Sequence, residues 1–241
     1  MYRKFYDDFP VTSLLLLLVL GFFVLELVAD QKFEGDPDAQ PHVLLGSLAY
    51  FSTVEQHQYW RLVSAMFLHA GLLHIFFNAM VLFDLGRFCE PMVSPYKFFT
   101  IYMLSGIGGS LASLAYGYDA DFALVREHFP ESPERYSLGA SGALCGLIGM
   151  LLVYSIKERH RQLRESLVRW VIFIAVFSFL PGIDHMGHIG GFVVGCLLGL
   201  TVKDYITSAE AERWRIPSYV LGAALGSSLI LALWNYFSRI W

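Results

Sequence analysis

The chain has 241 residues, 56% of them hydrophobic and 16% charged, with a formal net charge of −4 and a mean hydropathy of +0.51. Soluble globular domains carry about 25% charged residues, so this composition points to a bilayer and excludes a disordered chain. The negative charge and lack of a basic stripe exclude nucleic acid as a partner, and Cys89, Cys145 and Cys196, in or beside apolar runs, do not read as a disulfide scaffold.

Stretches free of Asp, Glu, Lys and Arg cover 9–25, 62–83, 98–118, 136–156, 170–183, 185–202 and 216–238. A membrane-crossing helix needs roughly 20 mainly apolar residues. Six stretches reach span length directly. The fifth does so only by starting near Ser166 with Arg169 at the interface. Arg3 and Lys4 before a leucine-rich run resemble a signal peptide, but no small-x-small cleavage site follows and Glu26, Leu27 and Val28 extend the run, so a retained first helix is expected. Lysines and arginines gather before the first run and after the second, fourth and sixth, with Lys157, Arg159, Arg161, Arg164 and Arg169 in one loop. The positive-inside bias then predicts a cytoplasmic N-terminus and an external C-terminus. The expected fold is an all-α polytopic membrane protein of seven spans, residues 1–204 forming one membrane domain and 205–241 a linker and the seventh helix.

Two outer connections are long. Residues 30–68 contain Gly35-Asp36-Pro37-Asp38 and then apolar–aromatic stretches too short to span, which fits helices lying in the interface. Residues 117–135 are acidic with Pro130 and Pro133, a solvated connector.

Polar side chains inside a bilayer call for a partner or a function. Ser141 lies at the outer end of the fourth helix, His188 at the outer end of the sixth, and His69, His74 and Asn78 at the outer part of the second, with His74 and Asn78 four apart on one face. By the parity of the spans all share one depth. Gly187, Gly191, Gly195 and Gly199 recur every four residues on the sixth helix, and Gly142, Gly146 and Gly149 line the fourth. Such small-residue ridges let two backbones approach closely, which would face Ser141 with His188. A serine becomes a nucleophile when a histidine takes its proton, and His74 and Asn78 are candidate donors to the oxyanion that follows. The Gly222-x3-Gly226 pair of the seventh helix reads as helix packing.

The set Trp60-Arg61, His69-x4-His74-x3-Asn78, Gly139-x-Ser141-Gly142 and His188-x2-Gly191-x3-Gly195 resembles the rhomboid intramembrane serine proteases, over a six-helix core of residues 10–204. The resemblance implies a six-helix transmembrane bundle with an added C-terminal seventh helix. It implies a Ser141–His188 dyad and an oxyanion hole of His74, Asn78 and the Ser141 backbone N–H. It also implies that Trp60-Arg61 anchors the first outer loop in the interface and that Glu90 stabilises the inner end of the second helix. His69, Gly139, Gly142, Gly191 and Gly195 are structural on this reading. The implied partners are the lipid bilayer and transmembrane protein substrates, with no cofactor. One position departs from the pattern: where family members can carry an aromatic packed on the catalytic histidine, this chain has Cys145.

Competing assignments are weaker. Asp184, His185, His188, His69 and His74 include zinc-ligand types, but no His-Glu-x-x-His occurs and Asn is a poor zinc ligand, so no metal is expected. Asp184, four residues before His188, is a candidate third triad member, against the dyad that the resemblance implies. The 139–143 stretch lacks the second glycine of a nucleophile elbow and no strand precedes it, which excludes an α/β-hydrolase. A transporter would place ionisable groups near mid-bilayer, whereas Asp84 and Glu90 sit near one end of the second helix. A non-catalytic rhomboid-like protein that binds membrane clients is the alternative from another class. Compact loops and the lack of a transit-type N-terminus suit a bacterial plasma membrane.

Overall fold

The computed structural model describes residues 5–30, 40–116, 136–178, 183–203 and 207–239. The expected solvated connector 117–135, the Gly35-Asp36-Pro37-Asp38 stretch and Pro181-Gly182, a helix-breaking pair shortly before His188 in the sequence, lie outside the described residues. Among the described residues there are seven long helices: α1 (Pro10–Asp30), α2 (Leu72–Val93), α3 (Pro95–Tyr116), α4 (Ser141–Lys157), α5 (Arg161–Phe177), α6 (His185–Gly199) and α7 (Arg215–Phe237). Among the described residues there is no strand, only an isolated antiparallel bridge between Leu48 and Ser137. By length and composition α1, α2, α3 and α7 are long and apolar enough to cross a membrane, while α4 and α6 are shorter apolar helices. Their outer faces are apolar and exposed, as at Leu17, Leu73 and Trp234, a surface suited to hydrocarbon rather than water. The protein is an all-α integral membrane protein.

Helix limits differ from the charge-free runs, and backbone breaks explain where. The second run does not form one helix. Arg61–Ser64 is a single α-turn and Ala65–Phe67 a 3₁₀ turn, after which Leu68 is extended and helix resumes only beyond Gly71. His69 therefore precedes α2 instead of lying on it. At its other end α2 continues through Asp84, Arg87 and Glu90 to Val93. The fourth run yields helix only from Ser141, because Gly139 adopts φ 127° and Ser137 pairs with Leu48. α5 begins at Arg161, earlier than its apolar run. Charged residues interrupt hydropathy, not helix propensity.

α4 is the central helix, buried from Ala143 through Leu151, as expected for a helix apolar all round. Its Leu147, Met150 and Leu151 share a core with Phe98, Ile101, Tyr102 and Met103 of α3. α6 lies against both α4 and α3 and buries only Gly187, Gly191, Gly195 and Gly199 on that face. A Cβ placed on Gly191 would overlap the Gly142 carbonyl oxygen, one on Gly195 the Gly146 carbonyl, and one on Gly190 would lie 2.7 Å from the Gly108 carbonyl oxygen of α3. Backbones thus meet directly, the contact that remains strong when lipid offers apolar side chains no advantage over one another.

α1 and α2 are joined at one end by a carboxylate. Glu90 accepts hydrogen bonds from the backbone N–H groups of Val11 (2.9 Å) and Thr12 (2.8 Å) and from the Thr12 hydroxyl (2.6 Å). These amides open α1 and have no partner within it, and the negative charge also suits a helix N-terminus. α7 closes over the segment 40–68: Ser228 Oγ donates to the Trp60 carbonyl (2.7 Å) and Asn235 Nδ2 to the Leu44 carbonyl (2.7 Å). The Gly222–Gly226 ridge does not take part, since a Cβ at either would meet nothing within 4 Å. That face of α7 points away from the bundle.

Glu90→Ala is expected to lower stability by about 3 kcal/mol, since it leaves the buried amides of α1 without their charged acceptor. Glu90→Gln should cost less than half as much. Gly195→Ala, which needs the α4 and α6 backbones to separate, should cost about 1–3 kcal/mol. Unfolding in detergent, followed by heat or denaturant, measures each.

Candidate active site

Gly139 determines how the chain enters α4. Its φ of 127° favours glycine, its N–H donates to the Ala65 carbonyl (2.9 Å), and a Cβ on it would stand 2.8 Å from His74 Nε2 and 3.8 Å from Asn78 Nδ2. The missing side chain is thus the space that admits the α2 polar pair to the start of α4. Among the described residues no side chain caps α4, and its first intrahelical donor is the Leu144 N–H, bonded to the Ala140 carbonyl. The N–H groups of Ser141, Gly142 and Ala143 precede that bond and carry the positive end of the helix dipole.

Ser141 is the first residue of α4, and its Oγ lies 2.8 Å from His188 Nε2. His188 stands in the first turn of α6, brought alongside by the Gly142–Gly191 backbone contact. Its other ring nitrogen, Nδ1, lies 2.8 Å from Ser178 Oγ at the C-terminal end of α5. Asp184 does not bond the ring. Its Oδ1 accepts from the Gly187 N–H (2.8 Å), capping α6, and its Oδ2 from the Ser137 hydroxyl (2.6 Å). Asp184 therefore fastens the 136–140 segment to α6.

His74, Asn78, Gly139, Ser141 and His188 line a single cavity of about 700 Å³. Its wall is completed by Phe77 of α2 and Trp170 and Phe173 of α5, side chains that are also exposed on the outside of the molecule, so the cavity reaches the surface between these two helices. α2 and α5 share no substantial packing. Cys145, buried behind Ser141, also lines the cavity.

His69, Arg61, Trp60 and Glu90, also singled out in the sequence, do not line this cavity. His69 is buried, its ring 4.9 Å from that of His74, and its backbone N–H donates to Glu26 of α1 (3.1 Å). Arg61 is not at the surface of its loop: it is 3% exposed, and its Nη1 donates to the carbonyls of Val43 and Ser47 (both 2.9 Å) and its Nε to Gln58 (2.7 Å). Trp60 stacks on it at 4.8 Å and fits against Gly46, where φ is 96°. Glu90 serves the α1 N-terminus. Sequence inspection overlooked Ser178, Ser137 and Glu26. Only the Asp184 cap left a local signal, an Asp directly before the helix.

Comparison with known proteins agrees with this architecture. The family model described as Rhomboid domain matches residues 56–205. Relatives include Rhomboid protease GluP of Bacillus subtilis, 31% identical over 87% of this chain and 37% of its own length. RHOMBOID-like protein 5 of Arabidopsis thaliana is 31% identical over 81% of this chain and 61% of its own length. Inactive rhomboid protein 2 of Homo sapiens is 29% identical over 81% of this chain and 22% of its own length. The chain thus spans less than two thirds of each of these relatives, and their sources, a bacterium, a plant and human, do not single out a bacterial membrane.

Asp184→Ala is expected to lower stability by about 1–2 kcal/mol through loss of the α6 cap. Asp184→Asn, which keeps an acceptor, should recover most of that loss, as read by unfolding in detergent.

Proposed function

Since the chain belongs to the rhomboid family, we propose that it is a serine endopeptidase that cleaves transmembrane proteins within or beside their membrane-spanning segment. The observation that carries the proposal is the 2.8 Å contact of Ser141 Oγ with His188 Nε2 at the floor of a cavity that reaches the surface between α2 and α5. Hydrolysis needs water and an unwound substrate carbonyl. Irregular backbone and water are tolerated at membrane depth only inside a protein-walled cavity. The late start of α4 leaves such a space above Ser141, and the gap between α2 and α5 gives a substrate helix a sideways route to it.

In the proposed reaction Ser141 Oγ attacks the scissile carbonyl carbon while its proton passes to His188 Nε2. The resulting oxyanion is held by the Ser141 N–H at the head of α4, with His74 and Asn78 as further donors. Collapse expels the leaving amine, which takes the proton from His188. Water, deprotonated by the same nitrogen, then attacks the acyl carbon, and Ser141 Oγ leaves with the proton returned from His188 as the acid product is released. The chemistry calls for no metal or cofactor. The N-terminus is assigned to the cytoplasm from the distribution of basic residues, with residues 205–241 added to a catalytic domain of 1–204.

Similarity to the inactive human relative keeps a second reading in play, a client-binding protein without turnover. The nucleophile and base, present and hydrogen-bonded in this chain, favour catalysis.

Labelling by a fluorophosphonate probe in detergent, run beside cleavage of a transmembrane reporter, tests the proposal. Both signals are expected in wild type and neither in Ser141→Ala or His188→Ala. His74→Ala and Asn78→Ala should each lower kcat about 10²-fold. A folded wild type that neither labels nor cleaves rejects the protease and leaves client binding.

A further inference from the structure

We propose that Ser178 is a positioning residue that holds His188 in the one neutral tautomer able to act as base; the inference rests on the protease reading above. A neutral imidazole carries its proton on one nitrogen, and the other is an acceptor. For His188 to take the Ser141 proton, Nε2 must be the free nitrogen, so Nδ1 must bear hydrogen. That hydrogen needs an acceptor, because which nitrogen is protonated follows from the bond that the other makes.

The group found at Nδ1 is the Ser178 hydroxyl, at 2.8 Å. The nearby carboxylate is already occupied at both oxygens, by the Gly187 N–H and the Ser137 hydroxyl. Ser178 Oγ therefore accepts from Nδ1–H, Nε2 accepts from Ser141, and the ring is fixed at two points between α4 and α5. When the base takes the serine proton, both nitrogens carry hydrogen and Ser178 remains an acceptor for the cation. A hydrogen bond to a charged donor is stronger than one to a neutral donor, so the contact favours the protonated ring that accompanies the tetrahedral intermediate. This is the orienting duty that a carboxylate performs in a three-membered triad, here given to a hydroxyl from a different helix. It also supplies a restraint on the ring at a site where Cys145 offers no aromatic face.

The test compares wild type, Ser178→Ala and Ser178→Thr, each shown to be folded by its unfolding temperature. Nitrogen-15 histidine spectra in detergent, with the His188 signals assigned by their loss in His188→Asn, report the tautomer directly. Wild type and Ser178→Thr should show Nδ1 protonated and Nε2 free, and Ser178→Ala a mixture of both forms. In the reporter assay Ser178→Ala should lower kcat about tenfold with KM unchanged, the size expected for one lost hydrogen bond, and Ser178→Thr should restore most of it. A folded Ser178→Ala with the wild-type tautomer and wild-type kcat overturns the inference, as does a folded Ser178→Thr no better than Ser178→Ala. The spectra need no turnover, so they decide the tautomer assignment even if wild type proves inactive, which would instead overturn the protease reading.

Discussion

Direct backbone contact between α6 and α4 is the constraint on which the rest of this molecule depends. Apolar side chains gain little by leaving lipid for a protein interior, so helix association in a bilayer relies on short-range packing and hydrogen bonds. Glycines at 187, 191, 195 and 199 strip one face of α6 to its backbone, and carbonyl oxygens of Gly142, Gly146 and Met150 occupy the space that Cβ atoms would fill. With the two helices this close, the residues heading them are necessarily neighbours. The 2.8 Å separation of Ser141 and His188 follows from that approach rather than from any pairing of their own.

A second constraint is the need to satisfy polar backbone where helices stop. Irregular stretches precede α2 and α4, and polar side chains bonded to main chain hold these stretches and the helix starts around them. Arg61 gathers the carbonyls of Val43 and Ser47, Glu26 takes the His69 N–H, Glu90 the first amides of α1, and Asp184 the α6 start. α7 adds Ser228 and Asn235 to the same work. Unmet main-chain groups cost about 1–3 kcal/mol each when buried, so these side chains specify the shape of the loops around the cavity.

α5 stands apart from this network. It packs chiefly on α4, carries Arg161, Arg164, Glu165 and Arg169 in its first half, and borders the cavity with Trp170 and Phe173. The helix least integrated into the bundle thus forms one wall of the cavity and, through Ser178, touches His188. One wall of the cavity and the setting of the His188 ring therefore depend on the same element.

Much of this was legible in the sequence because its signals are local or periodic. Apolar runs marked where the long helices lie, four-residue glycine spacing gave the α4–α6 contact, and the i,i+4 relation placed His74 with Asn78 on one face. Helix limits were not legible where backbone geometry decided them: the break before Gly71 and the start of α4 at Ser141 depend on Gly139 and on the Leu48–Ser137 bridge, which join segments far apart in sequence. The resemblance implied an anchoring role for Trp60-Arg61, but not the buried Val43 and Ser47 carbonyls that Arg61 holds, which lie 18 and 14 residues earlier in the chain. Gly222 and Gly226 had the spacing of a packing ridge but face away from the bundle, since spacing does not say which way a helix is turned. Ser178 was invisible for the same reason that it matters. Sequence fixes which groups a chain carries and their order along each helix, whereas the partner of His188 Nδ1 was decided when the C-terminal end of α5 came to lie beside the first turn of α6.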